Sequence, residues 1–394
     1  MVEADETTPK VDPGRGELGS ARVLTGGAAH SWKQQRRAEV SCIVLTDWLS
    51  PESAVWFTRV SELVDELLIF VDVERASAET RQLARRVATR MLETTTRGFI
   101  EAQLKEMVEA CRGEWVLRLD SDEELTPSWY QQPWRELLCK IDHTHFKLPR
   151  RWVSSSGSFI GVEPWWPDPQ MRLFRNDPSL LQFPQSIHQP TRVAGAEGYL
   201  RHLIIDHHVL RLLTRQQREE KARHYRKLRP EFPLADYYLY EEFSPPTIDT
   251  LGSVEGILSD SLIPMFPLQP SECSRISLAA HSMNAAIEAG RLFWQNVKVR
   301  NGTTQVLSSS APFPVHLTYH WNDRSGRTVI FEGMRTEFFP WLAPGASSDF
   351  MMRVLAPDKP GEYTLHITMV QEYVRWFDAV DPAVACELDV TVFA

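Results

Sequence analysis

Three short apolar runs constrain the fold more than anything else in the chain: Val40-Ser-Cys-Ile-Val-Leu-Thr46, Leu67-Leu-Ile-Phe-Val-Asp72 and Trp115-Val-Leu-Arg-Leu-Asp120. They lack the polar alternation of half-exposed strands, and they are too short for core helices. Such runs are strands covered on both faces, the situation of a parallel sheet between helices. Between them the period changes. Ser50-Pro51-Glu52 is a helix start signal leading into Trp56, Val60 and Leu63. A second helix begins near Ser77, with Leu83 and Val87 on one face. Phe99, Ile100, Leu104, Met107 and Val108 then fall at helical spacing, and Gly113 stands where a C-cap glycine belongs. Strands alternating with helices predict βαβ units and an α/β fold with a mostly parallel sheet flanked by helices.

The third run stops at two carboxylates one residue apart, within Glu114-Trp-Val-Leu-Arg-Leu-Asp120-Ser-Asp122-Glu-Glu124-Leu125. Open α/β sheets bind ligands beyond the carboxyl ends of their strands. Alternate residues of extended chain point the same way, so Asp120 and Asp122 are predicted to aim at one spot. Like charges so close raise the pKa of one of them, and a divalent cation reverses that logic. The pattern therefore predicts a carboxylate bed for Mg or Mn, carrying a phosphate-containing substrate. Ser121-x-x-Glu124 also fits a helix capping box, which is the structural alternative.

At 394 residues the chain has room for more than one domain. Residues 1–36 are rich in Gly, Pro, Thr and charge without an apolar period, and are predicted to be a disordered tail. A net charge of -9 argues against a general nucleic-acid binder. The five cysteines are scattered with no C-x-x-C spacing, as in a reduced, cytoplasmic protein. No stretch approaches the ~18–20 apolar residues that cross a bilayer. G-x-G-x-x-G after the first strand and G-x-x-x-x-G-K-[ST] are both missing, against a Rossmann dehydrogenase and a P-loop NTPase. A sugar nucleotidyltransferase would carry a glycine-rich loop where Thr46-Asp-Trp-Leu-Ser50 stands. The thirteen tryptophans offer flat apolar surfaces of the kind that pack on sugar rings, although core packing claims most such residues.

Over residues 38–230 the chain resembles inverting family 2 glycosyltransferases of the GT-A fold, in their bacterial lipopolysaccharide-core-like branch. That branch has a strand ending in a D-x-x-S-x-D-x-T-like segment, met here by Asp72-Val-Glu-Arg-Ala-Ser77-Ala-Glu79-Thr80, one residue longer and with Glu for the second Asp. Its W-x-x-x-L-D-x-D-E-E-L segment is matched by Trp115 to Leu125. Its W-x-x-D-x-Q-x-R-L-F block is met by Trp165-Trp166-Pro167-Asp168-Pro-Gln170-Met-Arg172-Leu173-Phe174. A later H-E appears as His188-Gln189, and the final histidine before a basic helix as Asp206-His207-His208, followed by Lys221 and Tyr225. The resemblance implies a nucleotide-sugar donor and a divalent cation. Asp72 would accept hydrogen bonds from the base or ribose, and Asp120 would act on the ribose or on water bound to the cation. Asp122 would bind the metal, with His207 completing its shell and His208 in reserve. Inversion needs one base within ~3 Å of the acceptor hydroxyl. Asp168, walled by Trp165, Trp166 and Pro167, is that candidate, with Glu163 as understudy and an ion pair to Arg172 or Arg175 as the structural alternative. The basic stretch Arg211 to Arg229 reads as a solvated helix face that also meets nucleotide phosphates; it could also rest on the anionic inner face of a membrane carrying a lipid-linked acceptor.

From 231 to about 292 the chain turns Pro- and Tyr-rich and then predicts a helix over 271–293. Beyond it alternation takes over: Val315, Leu317, Tyr319 and Trp321 on one face, His316, Thr318 and His320 on the other, and again at Tyr363, Leu365, Ile367 and Met369. With turns at Pro344-Gly345 and Pro360-Gly361, residues 293–394 predict an all-β sandwich. The tract from Tyr319-His-Trp321 to Trp376-Phe377 resembles immunoglobulin-like modules appended to bacterial glycan-assembly enzymes, with Gly361-x-Tyr363 placed as a tyrosine corner. Trp321, Trp341, Arg335 and Trp376 are its candidates for gripping a glycan. The functions predicted are sugar transfer in polysaccharide assembly or, because Glu79 and Gln189 depart from the family pattern, glycan binding without turnover. Asp120 and Asp122 are too close for glycosidase carboxyls, which stand ~5–9.5 Å apart.

Overall fold

The computed structural model describes residues 37–95, 103–183, 191–228, 234–248, 265–281, 286–339 and 341–394. The predicted tail and His188-Gln189 lie outside the described residues. Four strands run parallel: β1 (Val40–Thr46), β2 (Glu66–Asp72), β3 (Arg90–Thr94) and β4 (Trp115–Asp120), in the order β3-β2-β1-β4. Next to β4 the sheet continues with Gln170–Arg175, antiparallel, and then with His145–Leu148 and Glu197–Tyr199. All residues of β1 and β2 are buried, as continuous apolar runs require when helices cover both faces. The Ser50 side chain caps α1 (Pro51–Leu63) by accepting from the Ser53 N–H, and Ser77 caps α2 (Ala78–Val87) through the Thr80 N–H.

Three local readings need correction. The helix α3 covers only Leu104–Glu109 of the spacing that began at Phe99; residues 96–102 lie outside the described ones. Gly113 is no left-handed C-cap. A Cβ there would stand 2.5 Å from the Ser41 nitrogen and 2.8 Å from the Val40 carbonyl carbon, so glycine is needed for the close approach of backbone to β1. No helix follows Ser121 either. Glu123–Leu125 is a short strand, antiparallel to Ile205–His207, which in turn lies parallel to Arg150–Trp152. This small sheet crosses the carboxyl end of β4 and carries most of the polar site described below.

The C-terminal part is all β. Ile276–Ala280, Leu292–Asn301 and Ser347–Leu355 form one antiparallel sheet. Val315–Asp323, Gly361–Gln371 and Cys386–Phe393 form the second, with shorter strands at its edges. The helix predicted over 271–293 is therefore wrong: among the described residues of that segment only Pro270–Cys273 is helical, and the strands begin at Ile276, upstream of residue 293. Ile276, Val297 and Val299 are buried in one apolar core with Val315, Leu317, Tyr319 and Trp321, and that packing overrides the local helical spacing. Trp321 is fully buried there, which removes it from the glycan-gripping candidates. The Tyr363 hydroxyl donates to the Lys359 carbonyl, 3.0 Å away, fixing the turn before its strand.

Replacing Gly113 with Ala forces the added methyl against backbone that cannot rotate aside. Urea denaturation of Gly113→Ala is expected to show a loss of about 2 kcal/mol.

Candidate functional site

The carboxyl end of β4 meets the small sheet, and the pairing places His207 opposite Glu123 and beside Trp152. The two aspartates of the Asp-Ser-Asp turn take different contact partners, although both act on His207 and Lys221. Asp120 turns to arginines: its Oδ2 accepts from Arg172 Nη2 at 2.5 Å, with Arg150 3.8 Å away and Arg118 3.6 Å from Oδ1. Burial works against its charge, but the guanidiniums of Arg172, Arg118 and Arg150 outweigh it and hold the carboxyl far below the usual range. Asp122 turns to His207, whose Nε2 is 3.5 Å from Oδ1. Burial opposes this charge too, and His207 and Lys221 outweigh it, so Asp122 is ionised as well. Asp120 does push the Asp122 carboxyl up, as like-charge repulsion predicts, but each acid has its own counter-charge and both stay below the ordinary range.

Sequence reasoning missed the residue that organises this arrangement. Glu123 is fully buried. Its Oε1 accepts from Arg172 Nη2 at 2.5 Å and Arg150 Nη1 at 2.9 Å, and its Oε2 accepts from the Asp120 N–H at 3.0 Å. Arg150 then reaches Asp168, with Nε at 2.8 Å and Nη2 at 2.7 Å from Oδ2. The only local signal was the charge of Arg150 and Arg172 within otherwise apolar strand-like sequence.

Asp168 is accordingly not in the apolar setting that its neighbours Trp165, Trp166 and Pro167 predict. Its Oδ2 accepts from Arg150 and from the Trp152 indole N–H at 2.6 Å. Among the described residues its Oδ1 accepts from Gln170 Nε2 alone, at 2.7 Å. The ion pair foreseen as the structural alternative exists, with Arg150 in place of Arg172 or Arg175. Asp168 also has φ 35°, in the left-handed region that is sparsely populated away from glycine, and these hydrogen bonds hold it there.

The remaining candidates divide plainly. His207 is buried, and that burial, with Arg150 nearby, keeps its imidazole pKa below the ordinary value. Lys221, on the helix Arg215–Leu228, has its ammonium 5.0 Å from the Tyr238 ring centroid. Burial opposes its charge, but Tyr238 and Asp122 outweigh this and hold its pKa above the ordinary value. His208 is structural: it stacks on Trp56 at 4.5 Å, and its ring nitrogens meet Glu124 and Arg211 at 3.2 Å. Asp72 is fully buried at the end of β2, with Oδ1 accepting from the Glu74 N–H at 2.9 Å. Glu163 lies apart from the acids of β4; its Oε1 accepts from the Glu337 N–H at 2.6 Å. The basic helix spends much of its charge locally, Arg215 on Glu219 and Glu242, and Arg218 on Glu241. No described helix is long and apolar enough to cross a membrane. A cavity of about 400 Å³ opens near Glu114 and Arg175, at the opposite end of β4 from Asp120.

No family model matches the chain, and no curated protein matches it. Among solved structures, S. aureus TarS 1–349 aligns over 52% of this chain and 70% of that one, at 13% identity and a TM-score of 0.31. Glucosyl-3-phosphoglycerate synthase from Mycobacterium tuberculosis, in complex with Mn2+, uridine diphosphate and phosphoglyceric acid, aligns over 29% of this chain and 43% of its own, at 20% identity and a TM-score of 0.23. A further mycobacterial protein gives 21% identity, 29% and 41% coverage, and a TM-score of 0.23. Likenesses of this size carry no argument about the chemistry of this chain.

Removing Glu123 leaves Arg150 and Arg172 buried without their shared acceptor. Chemical denaturation of Glu123→Ala is expected to show a loss of about 3–5 kcal/mol.

Proposed function

We propose that the chain is a metal-dependent, inverting glycosyltransferase of the GT-A type, moving a sugar from a nucleotide-sugar donor to a glycan or lipid-linked acceptor. In this reading the C-terminal part is an immunoglobulin-type module. The observation that carries it is the pairing of Asp122 with His207 at the carboxyl end of β4. Asp122 is ionised and His207 is held toward its neutral form, which are the states a ligand to Mg or Mn must have. Among the described residues no group of three or more His, Cys, Asp or Glu side chains could hold an ion by itself. Two protein ligands suit a cation that arrives with a diphosphate, because Mg-type sites take few carboxylates and complete their shell with water and substrate phosphates. When bound, such a cation offsets the charge of the departing nucleoside diphosphate.

The chain's own residues supply the rest. Lys221 adds a fixed positive charge beside Asp122 for the same phosphates. Asp120, part-exposed and oriented by Arg172, would take the ribose, and Asp72 the base or ribose. Asp168 would be the base. Arg150 and Trp152 anchor its Oδ2, while Oδ1, with one donor, keeps a lone pair for the acceptor hydroxyl.

A second reading has one specific observation in its favour. A carboxylate accepting from Arg150, Trp152 and Gln170 could simply be a structural brace, leaving a transferase-like scaffold that binds glycans without turnover. Donor hydrolysis separates the two. The lead reading expects slow hydrolysis of a nucleotide-sugar with Mn or Mg present, lost in Asp122→Ala together with metal-dependent binding of the nucleoside diphosphate. Full binding and hydrolysis in that variant would refute the assignment.

A further inference from the structure

The loop carrying Asp168 is held from the other side by the all-β part. The Glu337 N–H donates to Glu163 Oε1 at 2.6 Å, the Trp294 indole N–H donates to the Glu163 carbonyl at 2.7 Å, and Arg353 Nη2 lies 3.4 Å from Glu163 Oε2. Phe339 packs edge-on against Trp166, with ring centroids 5.0 Å apart. Glu163 and Trp166 flank the segment that ends at Asp168, so these contacts set where the loop lies. The seam is not fully satisfied, however. Glu337 Oε2, Tyr199 Oη and Arg353 Nε are buried there with no hydrogen-bond partner among the described residues. The seam also brings a second acid beside Glu163: the Glu337 carboxyl lies within its electrostatic reach, and the Glu337 backbone N–H is bonded to the Glu163 carboxylate.

We propose that Glu337 is a positioning residue for Asp168, acting through Glu163, and that the seam closes only while the Glu163–Glu337 pair keeps a proton. The inference rests on the transferase reading for the role of Asp168, but the seam itself stands on its own contacts. Asp168 is already served by Arg150, and the half-exposed Lys147 is engaged by Glu197 at 3.2 Å, so Arg353, 3.4 Å from Glu163, is left with both carboxyls of the seam. The titratable and charged groups around Glu337 are Glu163, Lys147, Asp168 and Arg353, with His316 opposite it on the paired strand, and the Tyr199 hydroxyl faces the same acids. Burial and then Glu163 push the Glu337 carboxyl up to about 8, and burial raises Glu163 as well. The sign follows from linkage. A carboxyl with a raised pKa in the closed state binds more protons there than when released to water, where glutamate titrates near 4.3. Closure is therefore favoured by acid, weakens steadily from about pH 4.5 upward, and levels off above about pH 8.

Hydrogen exchange on the full chain tests this without depending on turnover. The amides of Trp165, Trp166, Asp168 and Glu337 report the seam. After correction for intrinsic exchange chemistry, their opening constant is expected to rise about tenfold per pH unit between pH 5.5 and 7.5, one proton being released on each opening. Glu337→Gln, which is neutral at every pH and keeps the backbone N–H, is expected to remove that slope and stay closed at pH 8.5. Glu163→Gln removes the like charge but not the burial of Glu337, and is expected to end the slope at a lower pH than in the wild type, a second test should the first variant fold poorly. A flat profile in the wild type, or a slope in both Gln variants as steep as its own, overturns the proposal. Asp122→Ala is expected to leave the profile unchanged, so a failure of the transferase reading shows in nucleotide binding and a failure of this one shows in exchange.

Discussion

A fully buried glutamate with two arginines on it is the interaction on which the rest of the site depends. Glu123 binds Arg150, Arg172 and the backbone N–H of Asp120. These contacts join three strands of different origin: β4 with its turn, Arg150–Trp152 of the small sheet, and Gln170–Arg175 of the main sheet. A buried ion pair of this kind adds little net stability over apolar packing, because desolvation consumes most of the Coulomb gain. What it does add is geometry. Bidentate and forked guanidinium contacts tolerate few arrangements, so the carboxyl end of β4 can sit against its neighbours in only one way.

That geometry sorts the acids into two kinds. Asp120, Glu123 and Asp168 share Arg118, Arg150 and Arg172, cations that keep their charge at any accessible pH. Asp122 is outside that set. Its partners are an imidazole held below its usual pKa and one lysine, itself shared with the field of Asp120. Asp122 is therefore the acid whose charge the protein balances least firmly, and it stands where an α/β sheet binds ligands. The proposal of a cation at this point rests on the distribution of arginines, more than on the Asp-Ser-Asp spacing that first drew attention to it.

The parallel strands and their caps were legible because local chemistry dictates them. Val40–Thr46, Leu67–Asp72, Ser50 and Ser77 do in the structure what their neighbours in sequence imply. β3 was missed because Arg90-Met-Leu-Glu-Thr94 is only half-buried and has no apolar run to announce it. Residues 271–293 were misread as helical because their apolar residues can be fitted to a 3.6 period, and only pairing with strands further along the chain, Ile276–Ala280 against residues 297–301, decides otherwise. In the site, the proximity of His207 to Asp122 was foreshadowed by the family resemblance, whereas the arginine pairing of Asp120 was not, and that of Asp168 was foreseen only with other arginines. Those contacts join residues 27 and 49 positions apart for Glu123, and 18 for Asp168, and no periodicity records them. The supposed apolar walls of Asp168 show the same blindness: Trp165 is indeed buried, but its indole N–H is given to the Tyr237 carbonyl, away from the acid.

The tryptophans connect the two parts of the described chain. Trp165 and Trp294 lie 5.8 Å apart between ring centroids, in a cluster that also takes in Trp152, Ile160, Val162, Val209 and Leu210 from one part and Leu292 from the other. Large aromatic surfaces shared in this way make separation costly, since each removes apolar area from water that neither part covers alone. The apolar cluster and the Glu163–Glu337 seam then act in opposite senses on one loop. The first binds the all-β part to the α/β part at every pH, while the second carries unsatisfied polar atoms and like charge. A loop held by a constant apolar clamp and a proton-dependent polar one can shift without the two parts coming apart. Asp168, at φ 35° on that loop and fastened at its far side to Arg150, is the residue such a shift would move.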